Sequence, residues 1–173
     1  KNIMASELRV DKIVPTSGVP TGGGGGIVQV VESSWSGNFT TGSTSYVDLT
    51  NATITITPKF STSKILIQGS INCDYARNSN DLGVVYTKII RVSDSAEIDE
   101  KAFYVGSGVS NTGFYYQPLP LNYLAFDSPS TTSAVTYKIQ VKIDSAGSSA
   151  LFRNQQINTG VGQSRLVAME VSA

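Results

Sequence analysis

Histidine is absent from this sequence of 173 residues. Histidine is the commonest general base, the usual partner of a serine or cysteine nucleophile and the commonest ligand of transition metals. Its absence removes most designs of hydrolases and metalloenzymes and leaves catalysis by carboxylates alone. An enzyme that cleaves glycans with two facing acidic groups stays open as an alternative, but no pair is singled out. We expect a protein that is not an enzyme and that binds no metal and no cofactor.

Charged residues are scarce as well. They make up 15% of the chain, and 13 Lys and Arg balance 13 Asp and Glu to a formal net charge of zero. An average domain has about 25% charged residues, and a nucleic-acid binder needs a basic excess. The chain also lacks the run of about 20 apolar residues that spans a membrane. We therefore expect no nucleic-acid partner and no membrane insertion.

The chain has a single cysteine, Cys73, which excludes an internal disulfide framework. Its neighbours alternate so that Cys73 shares one face with Ile71 and Tyr75. A cysteine in that position is typical of a small hydrophobic core residue rather than a reactive thiol. The absence of disulfides also fits synthesis in a reducing cytoplasm.

What the sequence has in quantity is alternation of apolar and polar residues with a period of two. In "AVTYKIQVKID" the apolar residues Val135 to Ile143 alternate with polar ones, which predicts a half-buried antiparallel strand. "NATITITP" and "KILIQGSINCDYA" repeat the pattern, and no window has a helical stripe. Further strands are predicted at Ile27–Glu32, Val84–Val92, Lys101–Val105, Leu121–Phe126, Ala150–Arg153 and Arg165–Val171. Eight to ten short strands without helices predict an all-β antiparallel sandwich or jelly roll.

Five consecutive glycines, at 22–26, divide the chain into two unequal parts. A phosphate-binding loop would continue with Lys, Ser or Thr and a helix, whereas this run opens a strand at Ile27. We therefore interpret 21–26 as a linker, 1–20 as an extended N-terminal arm, and 27–173 as a β-sandwich head domain. The arm is too short to bury a core, so its apolar residues are candidates for attachment to a partner: Leu8, Val10, Ile13 and Val14.

Aromatic residues cluster in "GFYYQPLPLNYLAF", around two prolines. Tyrosines in such a segment can stack on sugar rings or anchor a protein partner. The alternative is that they are ordinary aromatics of the core or of a subunit interface. The candidates for such a surface or partner contact are Phe114, Tyr115, Tyr116 and Tyr123.

The acidic stretch "SDSAEIDEK" has four carboxylates but not the spacing of a calcium loop. A solvated hairpin turn is the better interpretation.

Some strands have more apolar residues than one buried face needs. Leu66 lies on the second face of its strand, and "VVYTKIIRV" is apolar on both faces. This surplus predicts a subunit interface.

Two parts of the sequence resemble a known group. "MASELRVDKIVPTSGVPTGGGGGIVQVV" resembles the N-terminus of fibre-like virion proteins from bacteriophages of cyanobacteria. "LTNATITITPKFSTSKILIQGSI", "FDSPSTTSAVTYKIQVKI" and "SRLVAMEVSA" are similar to the globular part of the same proteins. The resemblance implies a virion-surface protein assembled in the host cytoplasm. It also implies a homotrimer whose jelly-roll head is similar to tumour-necrosis-factor-like domains.

This resemblance leads to two expectations for function. In the first, the chain is a fibre or spike protein whose arm attaches to other virion proteins of the tail or capsid. Its head then contacts the host cell surface, possible targets being surface glycans. In the second, the chain is a decoration protein that stabilises or covers the capsid. The family offers no catalytic residues to transfer, in agreement with the missing histidine.

Overall fold

The computed structural model describes residues 26–36, 39–77, 83–105, 115–144, 150–154 and 163–172. This part of the chain is built from β-strands and contains no helix, hence none long enough to cross a membrane. The strands are β1 (Ile27–Trp35), β2 (Phe39–Thr41), β3 (Val47–Ile56), β4 (Lys64–Ile71), β5 (Cys73–Arg77), β6 (Gly83–Arg91), β7 (Ala96–Val105), β8 (Tyr115–Pro118), β9 (Leu121–Asp127), β10 (Val135–Ile143), β11 (Ala150–Asn154) and β12 (Ser164–Val171).

The strands form two layers of four columns. Hydrogen bonding gives three four-stranded sheets. Two of them, β1-β12-β4-β9 and β2-β11-β5-β8, make up one layer, because each strand of the second is the neighbour along the chain of the strand at the same position in the first. We call this layer the long sheet. The other layer, the short sheet, has the order β3-β10-β6-β7, and all pairings are antiparallel. Eight columns in two antiparallel layers are the arrangement of a jelly roll, which confirms the fold expected from the sequence.

The core lies between the two layers and is filled by the inward half of each alternating strand. In β3, Ile54 and Ile56 are buried while Thr53 and Thr55 point outward. All five apolar residues of β10 are buried, as the sequence predicts. From the long sheet, side chains of the same kind close the core: Ile65, Ile67, Ile71, Leu121 and Leu166. Each buried side chain of this size contributes about 1.5–3 kcal/mol to folding.

A buried polar network holds the long sheet together where its strands are interrupted. Trp35 Nε1 donates to Asn154 Oδ1 at 3.2 Å, and Asn154 Nδ2 donates to Ser164 Oγ at 3.0 Å. The backbone N–H of Asn72, between β4 and β5, donates to the same Ser164 Oγ at 3.1 Å. Buried polar groups are costly unless paired, so this network fixes how the two halves of the sheet continue.

The two ends of the sandwich are distinguished by where the chain enters β1 and where β5 ends. Gly26 enters β1 at one end, where its carbonyl accepts from Ser172 N–H at 3.0 Å. At the other end, β5 ends at Arg77, which is paired with Tyr115 of β8. We call these the proximal and distal ends. The run of β4 and β5 between them corresponds to about 43 Å of extended chain.

The interpretation of the acidic stretch as a turn is wrong for three of its four carboxylates. Glu97, Asp99 and Glu100 belong to β7, and only Asp94 lies in the turn before it. Because β7 is an edge strand of the short sheet, Glu97 and Glu100 stay exposed to solvent. The sequence also did not predict the short strands β2 and β8.

Glu170 is a buried carboxylate at the proximal end, with 0% of its surface exposed. Its oxygens accept from the backbone N–H of Lys59 at 2.8 Å, from that of Phe60 at 3.1 Å and from Gln29 Nε2 at 2.6 Å. Burial alone raises the pKa of Glu170, but these hydrogen bonds outweigh it and hold the pKa below its usual value. The carboxylate thereby fastens β1 and the β3–β4 connection to β12.

Replacing this carboxylate by Glu170→Gln is expected to lower the free energy of unfolding by about 2 kcal/mol near neutral pH, since charged hydrogen bonds are lost. A depressed folded pKa stabilises the fold fully above the unfolded value of about 4.3 and loses this effect as the pH falls through the folded value. Urea unfolding at several pH values measures both effects. The surface variant Glu32→Gln is the control, and an unchanged acid dependence in Glu170→Gln contradicts the assignment.

Candidate interaction surface

The outer face of the long sheet carries a row of apolar side chains that crosses all four columns. Val30 of β1 is paired with Met169 of β12, Met169 with Leu66 of β4, and Leu66 with Phe126 of β9. Since directly paired residues share a face, these four side chains lie side by side. We call them the apolar row.

The apolar row is open to solvent at both of its ends. Val30 is 57% exposed and Phe126 is 59% exposed, while Leu66 and Met169 between them are half-buried. Leu124, in the neighbouring cross-strand row, is 62% exposed. Contiguous apolar patches of this kind are uncommon on monomeric proteins and mark interaction surfaces.

The outer face of the short sheet is polar by comparison. The hydroxyls of Thr55 and Thr136 lie 2.8 Å apart, and Asp48 accepts from Lys138 at 2.7 Å and from Gln140 at 2.7 Å. This is the ordinary division of an antiparallel sheet into a core face and a wet face. The apolar row is therefore a departure from the pattern that the other sheet follows.

Leu66 lies on the outer face of its strand, as expected. In "VVYTKIIRV" the half-buried Val84 and Tyr86 alternate with buried residues of the core face. Ile89 and Ile90 are 1% and 6% exposed, and the register shift at this point leaves Ile98 of β7 as the extra residue of a β-bulge. The ring of Tyr86 is covered by the ammonium group of Lys142, 4.7 Å from its centre. Tyr86 and Ile90 are thus covered within the chain, whereas Val92, directly after β6, is 43% exposed.

The aromatic candidates separate into different environments. Tyr123 is 3% exposed and packs in the core, so it does not contribute to a surface. Tyr115 and Tyr116 lie in β8 at the distal end, and Phe114 is outside the described residues. Tyr104 of β7 was not predicted as a contact residue, yet it is 77% exposed. The four attachment candidates of the arm, Leu8, Val10, Ile13 and Val14, also lie outside the described residues.

Tyr104 belongs to the distal end as well, because its partner Val84 lies one residue from the start of β6. Its strand could be recognised from the sequence, but the outward direction of its ring could not. A tyrosine within a β-strand faces the core or the solvent according to register alone.

The acidic stretch does not gather into a metal site, since its carboxylates have separate partners. Asp94 binds Arg91 at 2.8 Å, and this arginine lowers the pKa of Asp94 to about 2. Asp99 binds Lys101 at 2.8 Å, and Glu97 lies 3.5 Å from the ammonium group of Lys88. Glu100 accepts a hydrogen bond from the hydroxyl of Tyr46. Among the residues that the structure describes, no group of three potential ligands could hold a metal ion.

Arg91 also binds both oxygens of Asp127, at 2.9 and 2.8 Å, and Asp127 accepts from the Tyr137 hydroxyl at 2.7 Å. Two carboxylates therefore face each other across one guanidinium group. These contacts join the ends of β6 and β9 to β10 through the Arg91 guanidinium group and the Asp127 carboxylate.

Cys73 is half-buried and packs against the core, as the sequence predicts. Its thiol donates to the backbone carbonyl of Leu119, which precedes β9. Burial raises the pKa of the Cys73 thiol above its usual value. Such a thiol is a poor nucleophile and serves as a packing residue.

We expect Ellman's reagent to modify Cys73 in the native protein at least about ten times more slowly than in denaturing urea, because the reactive thiolate is suppressed. A matched control places an exposed thiol on the adjacent strand by combining Ser70→Cys with Cys73→Ser. The control thiol should react rapidly without urea. Equal rates for the two native proteins would contradict the packing role.

No protein-family model and no curated protein matches the chain. Among solved structures it is similar to VP2 of infectious bursal disease virus. For the T13 particle the TM-score is 0.35, with 11% identity over 91% of this chain and 41% of that chain. For the VP2 subviral particle the TM-score is 0.33, with 15% identity over 84% of this chain and 38% of that chain. The chain thus spans about two fifths of those VP2 chains. At such TM-scores the likeness assigns no function.

Proposed function

We propose that this chain is a structural protein of a bacteriophage particle, whose jelly roll is the head of a fibre or spike. Its arm attaches to other virion proteins, and its head projects from the virion surface and contacts the host cell. The observation that carries this proposal is the polarity of the sandwich. The chain enters at the proximal end, and the tyrosine-bearing strand β8 lies at the distal end.

In this proposal the proximal end of the head attaches to the particle and the distal end contacts the host. An arm that precedes Gly26 and is anchored in the particle directs the opposite end of the head outward. Tyr115 and Tyr116 in β8, and the exposed Tyr104 in β7, then belong to the outward end. Jelly rolls recur in viral capsid proteins and lectins, so the fold is compatible with both assembly and sugar binding.

The contact with the host is non-covalent adhesion, with surface glycans as the proposed target. Tyrosine rings stack on the apolar faces of sugars, and their hydroxyls bond to sugar hydroxyls. Several heads on one particle add weak contacts into high avidity. We propose no catalytic step and no bound cofactor.

The second candidate is a decoration protein of the capsid, and the apolar row favours it. A flat apolar sheet face can lie on a capsid surface and exclude water from it. In that case the long sheet faces the particle, and the distal tyrosines have no special role. The fibre and the decoration proposals therefore differ in which surface of the head is covered.

We expect the variant with both Tyr115→Ala and Tyr116→Ala to bind host cells at least about tenfold more weakly than the unmodified protein, the loss of one or two stacking anchors. The matched control is Phe60→Ala, which removes an aromatic side chain, 36% exposed, at the proximal end. Flow cytometry with labelled protein measures binding. Equal losses in both variants, or none in either, would contradict adhesion by the distal end.

Deletion of residues 1–20 tests the attachment role of the arm. The core strands begin at Ile27, so the truncated head should keep its melting temperature while losing incorporation into particles. Calorimetry and immunoblotting of purified particles are the measurements. A large fall in melting temperature would show that the arm belongs to the head. Unchanged incorporation would show that attachment uses another surface.

A further inference from the structure

We propose that the outer face of the short sheet is a binding site for an acidic glycan, in which the Tyr104 ring stacks on a sugar and Lys142 binds the anionic group. The site lies towards the distal end but belongs to a different sheet from β8. As a host contact it rests on the proposed function, whereas the binding itself is a property of the isolated protein.

Tyr104 provides an open ring for stacking. It is 77% exposed on β7 and is paired with the half-buried Val84 of β6. The preceding outward residue of β7 is Ala102, which is small and exposed and is paired with Tyr86. Tyrosine rings stack on the apolar faces of sugars. An exposed ring beside a small side chain on a sheet therefore suits a flat ligand such as a sugar ring.

Lys142 is held in position by two tyrosine rings. Its ammonium group lies 4.5 Å from the centre of the Tyr46 ring and 4.7 Å from that of Tyr86. Each ring attracts the cation through its π electrons. A lysine side chain that is already held in place loses less conformational entropy when it binds a ligand. The two rings thus prepare this ammonium group for binding.

The ammonium group of Lys142 has no carboxylate partner within the described part of the chain. The other lysines of this face do have one, since Lys88 lies 3.5 Å from Glu97 and Lys138 lies 2.7 Å from Asp48. Those two lysines are neutralised by the chain itself, whereas Lys142 keeps its charge and its N–H donors for a ligand. Charge complementarity therefore selects an anionic group as the occupant beside the two rings.

The separation of Tyr104 and Lys142 favours a short oligosaccharide over a smaller ligand. One strand, β6, lies between their strands, and their paired rows are two residues apart, which puts the two backbones roughly 12 Å from each other. A small anion reaches Lys142 alone, and a single neutral sugar uses Tyr104 alone. A glycan that carries a carboxylate uses both.

Titration of the full chain with trigalacturonic acid, followed by NMR, tests this proposal, and the methyl ester of the same trisaccharide is the neutral probe. We expect the acid to bind at least about tenfold more tightly than the ester, because a charge-assisted hydrogen bond distinguishes them. Lys142→Gln should remove this preference, whereas Lys142→Arg should keep it. The matched control is Lys138→Gln, on the same strand and the same face, which should bind both probes as the unmodified protein does.

Replacement of Tyr104 tests the stacking contact separately. Tyr104→Ala should weaken the binding of both probes by about three- to tenfold, since the ring contributes to each complex equally. Its control is Leu124→Ala, which removes a side chain of 62% exposure from the other sheet and should change neither affinity. Because Tyr104 lies outside the core, this variant remains informative if Lys142→Gln does not fold, which circular dichroism checks.

The proposal is overturned if the unmodified protein binds neither probe or binds acid and ester equally. A preference for the acid that survives Lys142→Gln, or binding that is unaffected by Tyr104→Ala, also overturns it. These measurements use purified protein without cells, so their failure is distinct from failure of the proposed function, which the cell-binding variants at Tyr115 and Tyr116 decide.

Discussion

The fold depends on one apolar layer between two four-stranded sheets, since a strand can bury only every second side chain. Ile54 and Ile56 of the short sheet and Ile65 and Ile67 of the long sheet meet in this layer. The remaining strands and the polar network of the long sheet lie beyond this apolar layer. The strands of the long sheet extend beyond the core segment, and the network around Asn154 satisfies their polar groups where the regular pairing stops.

The outer faces of the two sheets carry the side chains that alternate with those of the core, and these differ between the sheets. The short sheet presents hydroxyls, amides and ion pairs to water, and the ammonium group of Lys142 covers the ring of Tyr86 on this face. The long sheet instead presents Val30, Leu66, Met169 and Phe126 in one row. The same chain thus contains both the solvated form of an antiparallel sheet and a form suited to a partner.

The sequence predicts the fold class and most strands because alternation is local and is visible within eight or nine residues. It does not predict β2, which has three residues, or β8, which has four and ends at Pro118, since neither is long enough to alternate. It suggests an interface from Leu66 and from "VVYTKIIRV", and of these only Leu66 belongs to the apolar row. The complete row follows only from register, which pairs residues as distant as Val30 and Met169, and the burial of Tyr123 follows from register in the same way.

A high-resolution reconstruction of the assembled particle tests the central claim most directly, because it shows which surface of the head faces the particle. The account predicts that the proximal end, where Ser172 N–H donates to the Gly26 carbonyl, points towards the particle and that β8 lies at the outer end. A map in which the outer face of the long sheet lies flat on the particle, or in which β8 points inward, would contradict it.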